Sequence, residues 1–343
     1  MNNEQIKRVA VTILNWNGRA LLEKFLPSVV AYTPADLAVI IVVDNGSTDD
    51  SIQLLKEKFP TVQIVSFKRN HGFAEGYNLA IQDIFYEYTV LLNSDVEVTP
   101  GWLDAPIAAM DADPRIAAVQ PKILSLRNKE YFEYAGAAGG FIDFFGYPYC
   151  RGRIFNVIEK DKGQYDTEAD LFWASGACLF VRTEEYKMAR GLDDRFFAHQ
   201  EEIDFCWRLR SRGYRVVCTP KSVVYHLGGG TLNTEHPHKT FLNFRNNLLM
   251  LYKNLPDGKL EPILFIRFFL DYIAAAKFLF TGHYKNAKAV YEARRAFHKM
   301  KFDFFGSRLE NRILTCVERI PERKRGSILV SFYLLFKRKF SSL

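Results

Sequence analysis

Apolar runs alternate with amphipathic segments along the first third of the chain. The apolar runs predict buried strands and the amphipathic segments predict helices, because side chains repeat about every two residues in a strand and about every 3.6 in a helix. The predicted strands are residues 9–15, 39–44, 62–67 and 89–93, and the predicted helices are residues 20–30, 51–58 and 73–84. Strand–helix alternation is typical of βαβ units. We therefore predict an α/β fold with a mostly parallel central sheet flanked by helices.

The α/β pattern continues through the middle of the chain. Further helices are predicted near residues 102–110 and at 203–212. Further strands are predicted at residues 117–122, 171–182, 216–218 and 223–225. Residues 130–163 are rich in Gly, Tyr and Phe. That segment is either a surface insertion or an aromatic platform that binds an acceptor, and its pattern does not decide between the two.

From about residue 240 the pattern becomes helical and strongly basic. Helices are predicted at residues 241–252, 261–280 and 287–300. Residues 240–343 hold 20 Lys and Arg against 8 Asp and Glu, whereas the preceding residues carry a net charge of −5. We predict an α/β domain over residues 1–252 and a helical extension over residues 253–343. An apolar segment at 328–336 lies between clusters of Lys and Arg, which favours association of the extension with an anionic membrane surface. Packing on the α/β domain, or a dimer interface, is the alternative.

Three features indicate the cellular setting. The five cysteines are odd in number and form no CxxC pair, so neither a disulfide framework nor a zinc ribbon is expected, and a reducing cytoplasm fits best. The N-terminus is polar and contains no secretory apolar region. No stretch reaches about 18 uncharged apolar residues. We expect a cytoplasmic protein that is peripheral on the inner face of the cytoplasmic membrane and does not bind nucleic acid.

Polar side chains follow the predicted parallel strands where each strand ends. The carboxyl ends of such strands form the ligand crevice of an open α/β sheet. The residues at these ends are Asn15, Asn17, Asp44, Asn45, Asn70, Asn93 and Asp95. Because four strand ends converge with Asn or Asp, the sequence predicts a polar ligand at this edge.

Two acidic segments are candidates for chemistry. Asp95 follows an apolar strand, and spaced acids at such a place can present a divalent cation to a diphosphate. Glu201, Glu202 and Asp204 open a short helix between aromatic residues. Acids also favour the first turn of any helix, but carboxylates in an aromatic-walled site can have raised pKa values and act as general bases.

Other enzyme classes are disfavoured by what stands after the first strand. A dinucleotide-binding oxidoreductase would need GxGxxG there, and Asn15-Trp16-Asn17-Gly18 occupies that place. A P-loop enzyme would need GxxxxGK[ST], and a sugar nucleotidyltransferase would carry a Gly-rich phosphate clamp near that strand; neither occurs.

An ordered set of motifs resembles the family 2 glycosyltransferases with the GT-A fold, closest to their bacterial rhamnosyltransferase-like branch. The resemblance covers about residues 8–252, and the extension lies outside it. The matching motifs are Asn15-Trp16-Asn17-Gly18, the segments 43–49, 70–74, 92–96 and 175–178, Phe196-Phe197, Glu201-Glu202-x-Asp204, Arg208, Gly213 and His226.

The resemblance implies a role for each matching residue. Asp44 would bind the base and ribose, and Glu202 would be the catalytic base, with Glu201 and Asp204 shaping its site. Asp95 would coordinate Mn²⁺ or Mg²⁺ on the diphosphate, and His226 would complete the metal site. The remaining nucleotide-sugar-binding residues would be Asn15, Trp16, Asn17, Asn70, Gly72, Asn78, Asn93 and Ser94.

The chain departs from the family pattern at two positions. The first acid of the DxD motif is an amide, Asn93, and the usual Glu-Asp of the base motif is Glu201-Glu202. Which glutamate is the base therefore stays open. The resemblance implies an inverting, metal-dependent transfer from dTDP-rhamnose or a UDP-sugar to a glycan or lipid-linked saccharide in cell-surface polysaccharide synthesis. The alternative is a catalytically degenerate scaffold in a glycan-assembly complex.

Overall fold

The computed structural model describes residues 7–228 and 236–343. The strands are β1 (Val9–Asn15), β2 (Ala38–Asp44), β3 (Gln63–Ser66), β4 (Tyr88–Asn93), β5 (Val96–Val98), β6 (Ile116–Ser125), β7 (Gly140–Ile142), β8 (Pro148–Cys150), β9 (Arg153–Ile154), β10 (Val157–Ile158), β11 (Ala169–Asp170), β12 (Cys178–Arg182) and β13 (Arg215–His226). The helices are α1 (Arg19–Tyr32), α2 (Ser51–Lys58), α3 (Gly72–Gln82), α4 (Asp104–Ala112), α5 (Thr183–Met188), α6 (Glu201–Ser211), α7 (Pro237–Asn254), α8 (Asp257–Phe280), α9 (Tyr284–Met300) and α10 (Phe305–Leu314).

The central sheet has the strand order β11-β13-β6-β12-β4-β1-β2-β3, with β5 beside β13. The pairs β4–β1, β1–β2, β2–β3 and β6–β13 are parallel, and β12 runs antiparallel between β4 and β6. In this register Asn15 lies beside Asp44, and Leu14 lies beside Asn93. The predicted mostly parallel sheet flanked by helices is thus confirmed, and its polar strand ends meet at one edge.

Local sequence explains why these elements form. β1 is a run of mainly apolar and β-branched residues, and it is buried along nearly its whole length, as a central parallel strand requires. In α1 the buried residues Leu22, Phe25, Leu26 and Val29 follow the i, i+3, i+4, i+7 spacing of a helix that packs on one face. The same pattern supports the helices on the other side of the sheet, so hydrophobic cores form on both of its faces.

Two strand predictions were wrong in extent. Only Cys178–Arg182 of the predicted strand at 171–182 pairs in the sheet, because the small residues before it cross the end of β4, where the Asn93 N–H donates to the Ala177 carbonyl. The two short strands predicted at 216–218 and 223–225 are one strand, β13, with an irregularity between Thr219 and Val223. A proline within this interval lacks the N–H that a regular ladder needs.

The Gly- and aromatic-rich segment folds into a small antiparallel sheet, β7 to β10. Several of its side chains contribute to packing: Tyr149 and Ile154 are buried against Ile328 and Phe332 from the end of the chain. The ring of Phe340 also lies 5.0 Å from that of Phe141. The segment is therefore packed against the C-terminal residues.

The C-terminal extension packs on the α/β domain through α7, which contacts α6, α9 and α10. The apolar end predicted at 328–336 forms a short helical turn, Val330–Leu334. Within the described ranges, no helix combines the length and apolarity needed to cross a membrane. The five cysteines are free, and four of them are buried.

Candidate active site

The ends of β1 and β2 form a buried polar pair. Asn15 donates from Nδ2 to Asp44 Oδ1 and to Ser47 Oγ, each at 3.3 Å. Asp44 Oδ2 accepts from the Ser47 backbone N–H at 3.1 Å. Both Asn15 and Asp44 are almost fully buried, and Asn15 Oδ1 has no hydrogen-bond partner among the described residues. Buried polar atoms are normally satisfied, so this edge is suited to a polar ligand.

Trp16 and Asn17 shape the loop above that pair. Asn17 has a φ of 48° and its Oδ1 accepts from the Thr48 backbone N–H at 2.7 Å, which joins the β1 loop to the β2 loop. Trp16 next to it is 54% exposed. An exposed indole beside a buried carboxylate offers a flat apolar surface for a ring.

Asn70 fixes the start of α3. Its Oδ1 accepts from the Gly72 N–H at 2.7 Å and from Asn45 Nδ2 at 3.0 Å. Gly46, with a φ of 73°, permits the turn that brings these residues together, because a Cβ there would lie 2.5 Å from the Arg69 carbonyl carbon. The N-terminal amides of α3 are thereby held at the same edge as Asp44, where a helix start favours an anion.

Asn78 has a different environment from the one predicted. Its Nδ2 donates to the Leu192 carbonyl at 2.7 Å, and its Oδ1 accepts from the Leu192 N–H at 2.9 Å and from the Tyr186 hydroxyl at 2.7 Å. These bonds tie α3 to the segment after α5. The contacts give Asn78 a structural role rather than the predicted position at the nucleotide.

The predicted metal residues meet at the other end of the edge. Asn93, Ser94 and Asp95 form the turn from β4 into β5, and β5 pairs with the end of β13, which carries His226. His226 Nε2 lies 3.0 Å from Asp95 Oδ1, and His226 Nδ1 lies 3.5 Å from Glu133 Oε2. Glu133 was missed by the sequence analysis, because nothing in its local sequence marks it.

The charges of this group fit a bound cation. Burial lowers the pKa of His226, but the carboxylates of Asp95 and Glu133 outweigh it and raise that pKa to about 10. The two acids therefore favour a positive charge at this place. The 3.0 Å between His226 Nε2 and Asp95 Oδ1 is a hydrogen-bond length, and His226 must release its proton before it can ligate a cation.

The protein supplies few ligands at this place. Within residues 7–228 and 236–343, no group of three or more His, Cys, Asp or Glu side chains is arranged to hold a metal ion. Mg²⁺ is commonly held by one or two protein carboxylates, with substrate phosphates and water completing its shell. The residues therefore fit a cation that arrives with a diphosphate better than a resident structural metal.

Glu201 and Glu202 occupy the first turn of α6 and lie in a low-dielectric environment. An oxygen of each carboxyl group, Oε2, is buried without a hydrogen-bond partner among the described residues. Burial raises the pKa of Glu202 to about 7, and burial together with the charge of Glu202 raises the pKa of Glu201 well above its ordinary value. A carboxyl group that titrates near neutral pH, with an oxygen unused by the fold, is suited to accept a proton.

The segment before α6 lies close to the start of α3. A Cβ placed on Gly72, at the start of α3, would lie 4.0 Å from the Phe197 carbonyl oxygen. The segment that leads into Glu201 and Glu202 therefore packs beside the helix whose N-terminal amides are held near Asp44 and Asn45.

Comparison with known proteins identifies a family and several relatives. Residues 10–161 match the profile described as "Glycosyl transferase family 2". The N-acetylglucosaminyl-diphospho-decaprenol L-rhamnosyltransferase of Mycobacterium tuberculosis is 27% identical over 223 residues, which cover 60% of this chain and 71% of that protein. The O-antigen biosynthesis protein RfbC of Myxococcus xanthus is 27% identical over 209 residues, 60% of this chain but only 16% of that protein.

Residues 10–161 belong to glycosyl transferase family 2. Solved structures agree in fold: mannosyltransferase PcManGT from Pyrobaculum calidifontis, in complex with GDP-Man and Mn²⁺, has a TM-score of 0.52 at 16% identity over 90% of this chain and 88% of that chain. GalNAc-T7 with UDP, GalNAc and Mn²⁺ has a TM-score of 0.57 at 17% identity over 76% of this chain and 50% of that chain. The predicted family, its rhamnosyltransferase-like branch and the GT-A fold are thus confirmed.

The segment that leads into the two glutamates of this glycosyltransferase is strained. Phe197, His199 and Gln200 have φ values of 66°, 69° and 78°, a region that residues other than glycine rarely adopt. Such conformations cluster at functional sites when the surrounding structure enforces them. Burial also lowers the pKa of His199 to about 4, and its buried Nε2 has no hydrogen-bond partner among the described residues.

Asn246 of α7 holds this segment in place. Its Nδ2 lies 2.9, 2.8 and 2.8 Å from the carbonyl oxygens of Phe196, Ala198 and His199. The next residue, Asn247, donates from Nδ2 to Gln200 Oε1 at 3.2 Å. The sequence analysis missed both asparagines, although polar residues on the buried face of an amphipathic helix are a usable signal.

Asp204 lies in the buried contact between α6 and α7. It is fully buried, and its Oδ2 accepts from Arg208 Nε at 2.9 Å and from Lys253 Nζ at 2.8 Å. Asn254 Nδ2 donates to its other oxygen at 2.7 Å. Asp204 thereby joins α6 to α7, so its contacts position the glutamates and leave it no access to a substrate.

We predict that Asn246→Leu lowers both stability and turnover. The substitution removes the side-chain donor to the Ala198 and His199 carbonyls, whereas the Phe196 carbonyl keeps Arg245 and the Ala198 N–H as donors. The free energy of unfolding should fall by about 3 kcal/mol. Because the strained segment then relaxes, kcat should fall more than the KM for donor rises. Urea unfolding and steady-state kinetics check this. Asn243→Ala, one turn earlier on α7, is the matched control: it removes only one long contact to the segment, from Gln200 Nε2 to Asn243 Oδ1 at 3.5 Å, and should change both quantities much less. Equal effects of the two variants would contradict the assigned role.

Proposed function

We propose that this family 2 glycosyltransferase is an inverting enzyme that transfers a sugar from a nucleotide-sugar to a hydroxyl of a glycan or lipid-linked saccharide. The supporting observation is Glu202. It is a half-buried residue whose carboxyl group has a pKa raised to about 7 and a buried oxygen without a partner among the described residues, and it follows a strained segment that lies close to the start of α3.

The proposed reaction is a single displacement. Glu202 accepts the proton of the acceptor hydroxyl as that oxygen attacks the anomeric carbon, and the bond to the nucleoside diphosphate breaks on the opposite side. Inversion follows from attack opposite the leaving group. Asp44 and Asn15 would hold the base and ribose, and the N-terminal amides of α3 would approach the diphosphate.

Asp95 and His226 would hold the divalent cation, Mn²⁺ or Mg²⁺, with Asn93 and Ser94 lining the same turn. The cation would supply charge neutralisation of the departing diphosphate. The protein's own part is to keep His226 oriented between Asp95 and Glu133. A hydrogen bond donated by a ring N–H to such a neighbouring carboxylate fixes the orientation and the tautomer of the ring.

The nature of the substrates follows from the relatives. One relative's name describes an L-rhamnosyltransferase acting on a polyprenyl-diphosphate sugar, and another names O-antigen biosynthesis. We therefore place dTDP-rhamnose first among the donors and UDP-sugars second. The acceptor would be a lipid-linked or growing cell-surface saccharide. A degenerate scaffold is not favoured, because both the base candidates and the Asp95–His226 pair are in place.

A nucleotide-release assay on the full chain tests the proposal. Candidate donors would be dTDP-rhamnose, UDP-sugars and GDP-sugars, each with Mn²⁺, Mg²⁺ or EDTA, and with polyprenyl-diphosphate saccharides as acceptors. We expect one donor to be turned over only with a divalent cation, and the product to have inverted anomeric configuration by NMR. Binding of nucleotide-sugars without turnover under every condition would favour the scaffold, and a retained configuration would overturn the single displacement.

A further inference from the structure

Helix α8 has an inverted distribution of polar and apolar side chains. Its buried face carries Arg267 and Asp271, which form an ion pair at 3.1 Å. Arg294 of α9 adds a second ion pair to Asp271 at 2.6 Å, and Arg267 donates to the Phe145 carbonyl at 2.9 Å. The polar side of this helix therefore faces the protein, where every one of these charges has a partner.

The opposite face of α8 is apolar and exposed. Phe265, Phe269, Ile273 and Phe280 are 67%, 52%, 65% and 91% exposed, and Ile266 lies between them. At about 100° per residue these five side chains fall within an arc of about 100° on one side of the helix. Contiguous exposed apolar surface of this kind marks an interaction site rather than a solvated face.

The end of the chain extends this apolar face. Lys277 of α8 lies with its Nζ 5.5 Å from the ring centroid of Tyr333. Tyr333, Leu334 and Phe336 are exposed, although the neighbouring Phe332 is buried against β8 and β9. We call the exposed side chains of α8 and of residues 333–336 together the α8 face.

The charges near the α8 face are mainly positive. Lys277 of α8 and Arg338 and Lys339 beside residues 333–336 are exposed, as is Arg325 earlier in the same basic segment, whereas Glu261, one turn before Phe265, is an exposed acid on α8. No acidic residue occurs after Glu322. Apolar side chains bordered by Lys and Arg match an anionic lipid surface, where burial of the apolar groups and attraction to the headgroups act together.

We propose that the α8 face docks this glycosyltransferase onto an anionic membrane surface, with α8 lying in the plane of the interface. A second copy fits the surface less well, because a two-fold contact places the same patch against itself and would bring the cationic borders together. Stable membrane binding generally requires two contributions, and the α8 face offers both apolar and cationic contacts.

This docking does not depend on the proposed transfer reaction. If the acceptor is lipid-linked, however, it gives the enzyme the same location as its acceptor. It also extends the expectation from sequence: α8 adds an apolar face to the exposed residues of the segment 328–336, in which Ile328 and Phe332 are used for packing.

Vesicle flotation of the full chain, without any substrate, tests the proposal. Vesicles would contain phosphatidylcholine alone or equal parts of phosphatidylglycerol and phosphatidylcholine. We expect binding to the anionic vesicles that weakens with added salt. The triple variant Phe265→Glu, Phe269→Glu, Phe280→Glu should bind at least about tenfold more weakly. Phe85→Glu, at a side chain that is 85% exposed on the α3–β4 loop, should bind like wild type.

Two further measurements separate the outcomes. Circular dichroism should show that the triple variant is folded, since it changes exposed residues only. A second variant, Arg325→Gln, Arg338→Gln, Lys339→Gln, tests the cationic contribution separately and should lose the preference for anionic vesicles. Analytical ultracentrifugation reports self-association. Binding of the triple variant equal to that of wild type would overturn the proposal, as would a wild-type dimer that does not bind vesicles and that the triple variant converts to a monomer.

Discussion

Glu202→Gln is expected to lower kcat by about 10²–10⁴-fold with little change in the KM for the donor, because the amide cannot accept the proton of the acceptor hydroxyl. The substitution preserves size and shape in a buried place. It should not destabilise the fold near neutral pH. Since the folded-state pKa of Glu202 is raised to about 7, ionising this group costs stability as the pH rises from about 4.5 through 7, and the glutamine variant escapes that cost.

The pH profile provides a second readout of the same residue. A base must be ionised to act, so kcat/KM of the wild type should rise with pH and reach its midpoint near 7, the pKa of Glu202. The residual activity of Glu202→Gln should lack this rise. Initial rates at saturating cation across a range of pH values, with unfolding midpoints measured in parallel, check both statements.

Glu201→Gln is the matched control. Burial and the charge of Glu202 raise the pKa of Glu201 well above its ordinary value, and we propose that Glu201 is the member of the pair that stays protonated. A glutamine closely resembles a protonated glutamate, and the variant should keep most of the wild-type activity and the same rise with pH. If Glu201→Gln is inactive and Glu202→Gln is not, the roles of the two glutamates are reversed.

Asp95→Asn is expected to lower turnover by about 10²–10³-fold, the usual cost of removing one preorganised electrostatic contact to a departing group. The apparent affinity for Mn²⁺ in the presence of nucleotide should also fall. A third effect needs no turnover: the pKa of His226 should decrease, because one of the two carboxylates that raise it is gone. Kinetics against Mn²⁺ concentration and NMR titration of the histidine ring measure these effects.

The variant Glu97→Gln tests whether the cation requirement depends on the Asp95–His226 pair or on any acidic residue of this loop. Glu97 lies two residues further along and forms a partly exposed ion pair with Lys129 at 2.6 Å. Such pairs contribute little, typically under about 1 kcal/mol, so activity and Mn²⁺ dependence should stay close to wild type. A loss as large as that of Asp95→Asn would show that the whole loop, rather than the Asp95–His226 pair, determines the cation requirement.

Local sequence determined the framework of this protein. The strands β1 to β4 and the helices between them were predictable because each has an internal period, and a period depends only on neighbouring residues. The same strand pattern also predicted that Asn15, Asp44 and Asn70 lie at one edge of the sheet, because parallel strands have their carboxyl ends at the same edge. Order and spacing of the motifs identified the family.

Tertiary structure decided what the local pattern could not. Glu133 reaches His226 across 93 positions of sequence and Asn246 reaches the strained segment across about 50, and no local period encodes such contacts. The structural role of Asn78 likewise depends on a partner 114 residues away. Most clearly, the sequence of α8 shows both charges and phenylalanines, but only the packing of Arg294 against Asp271 determines which side is buried. A buried charge needs a partner, and where that partner lies is a property of the fold.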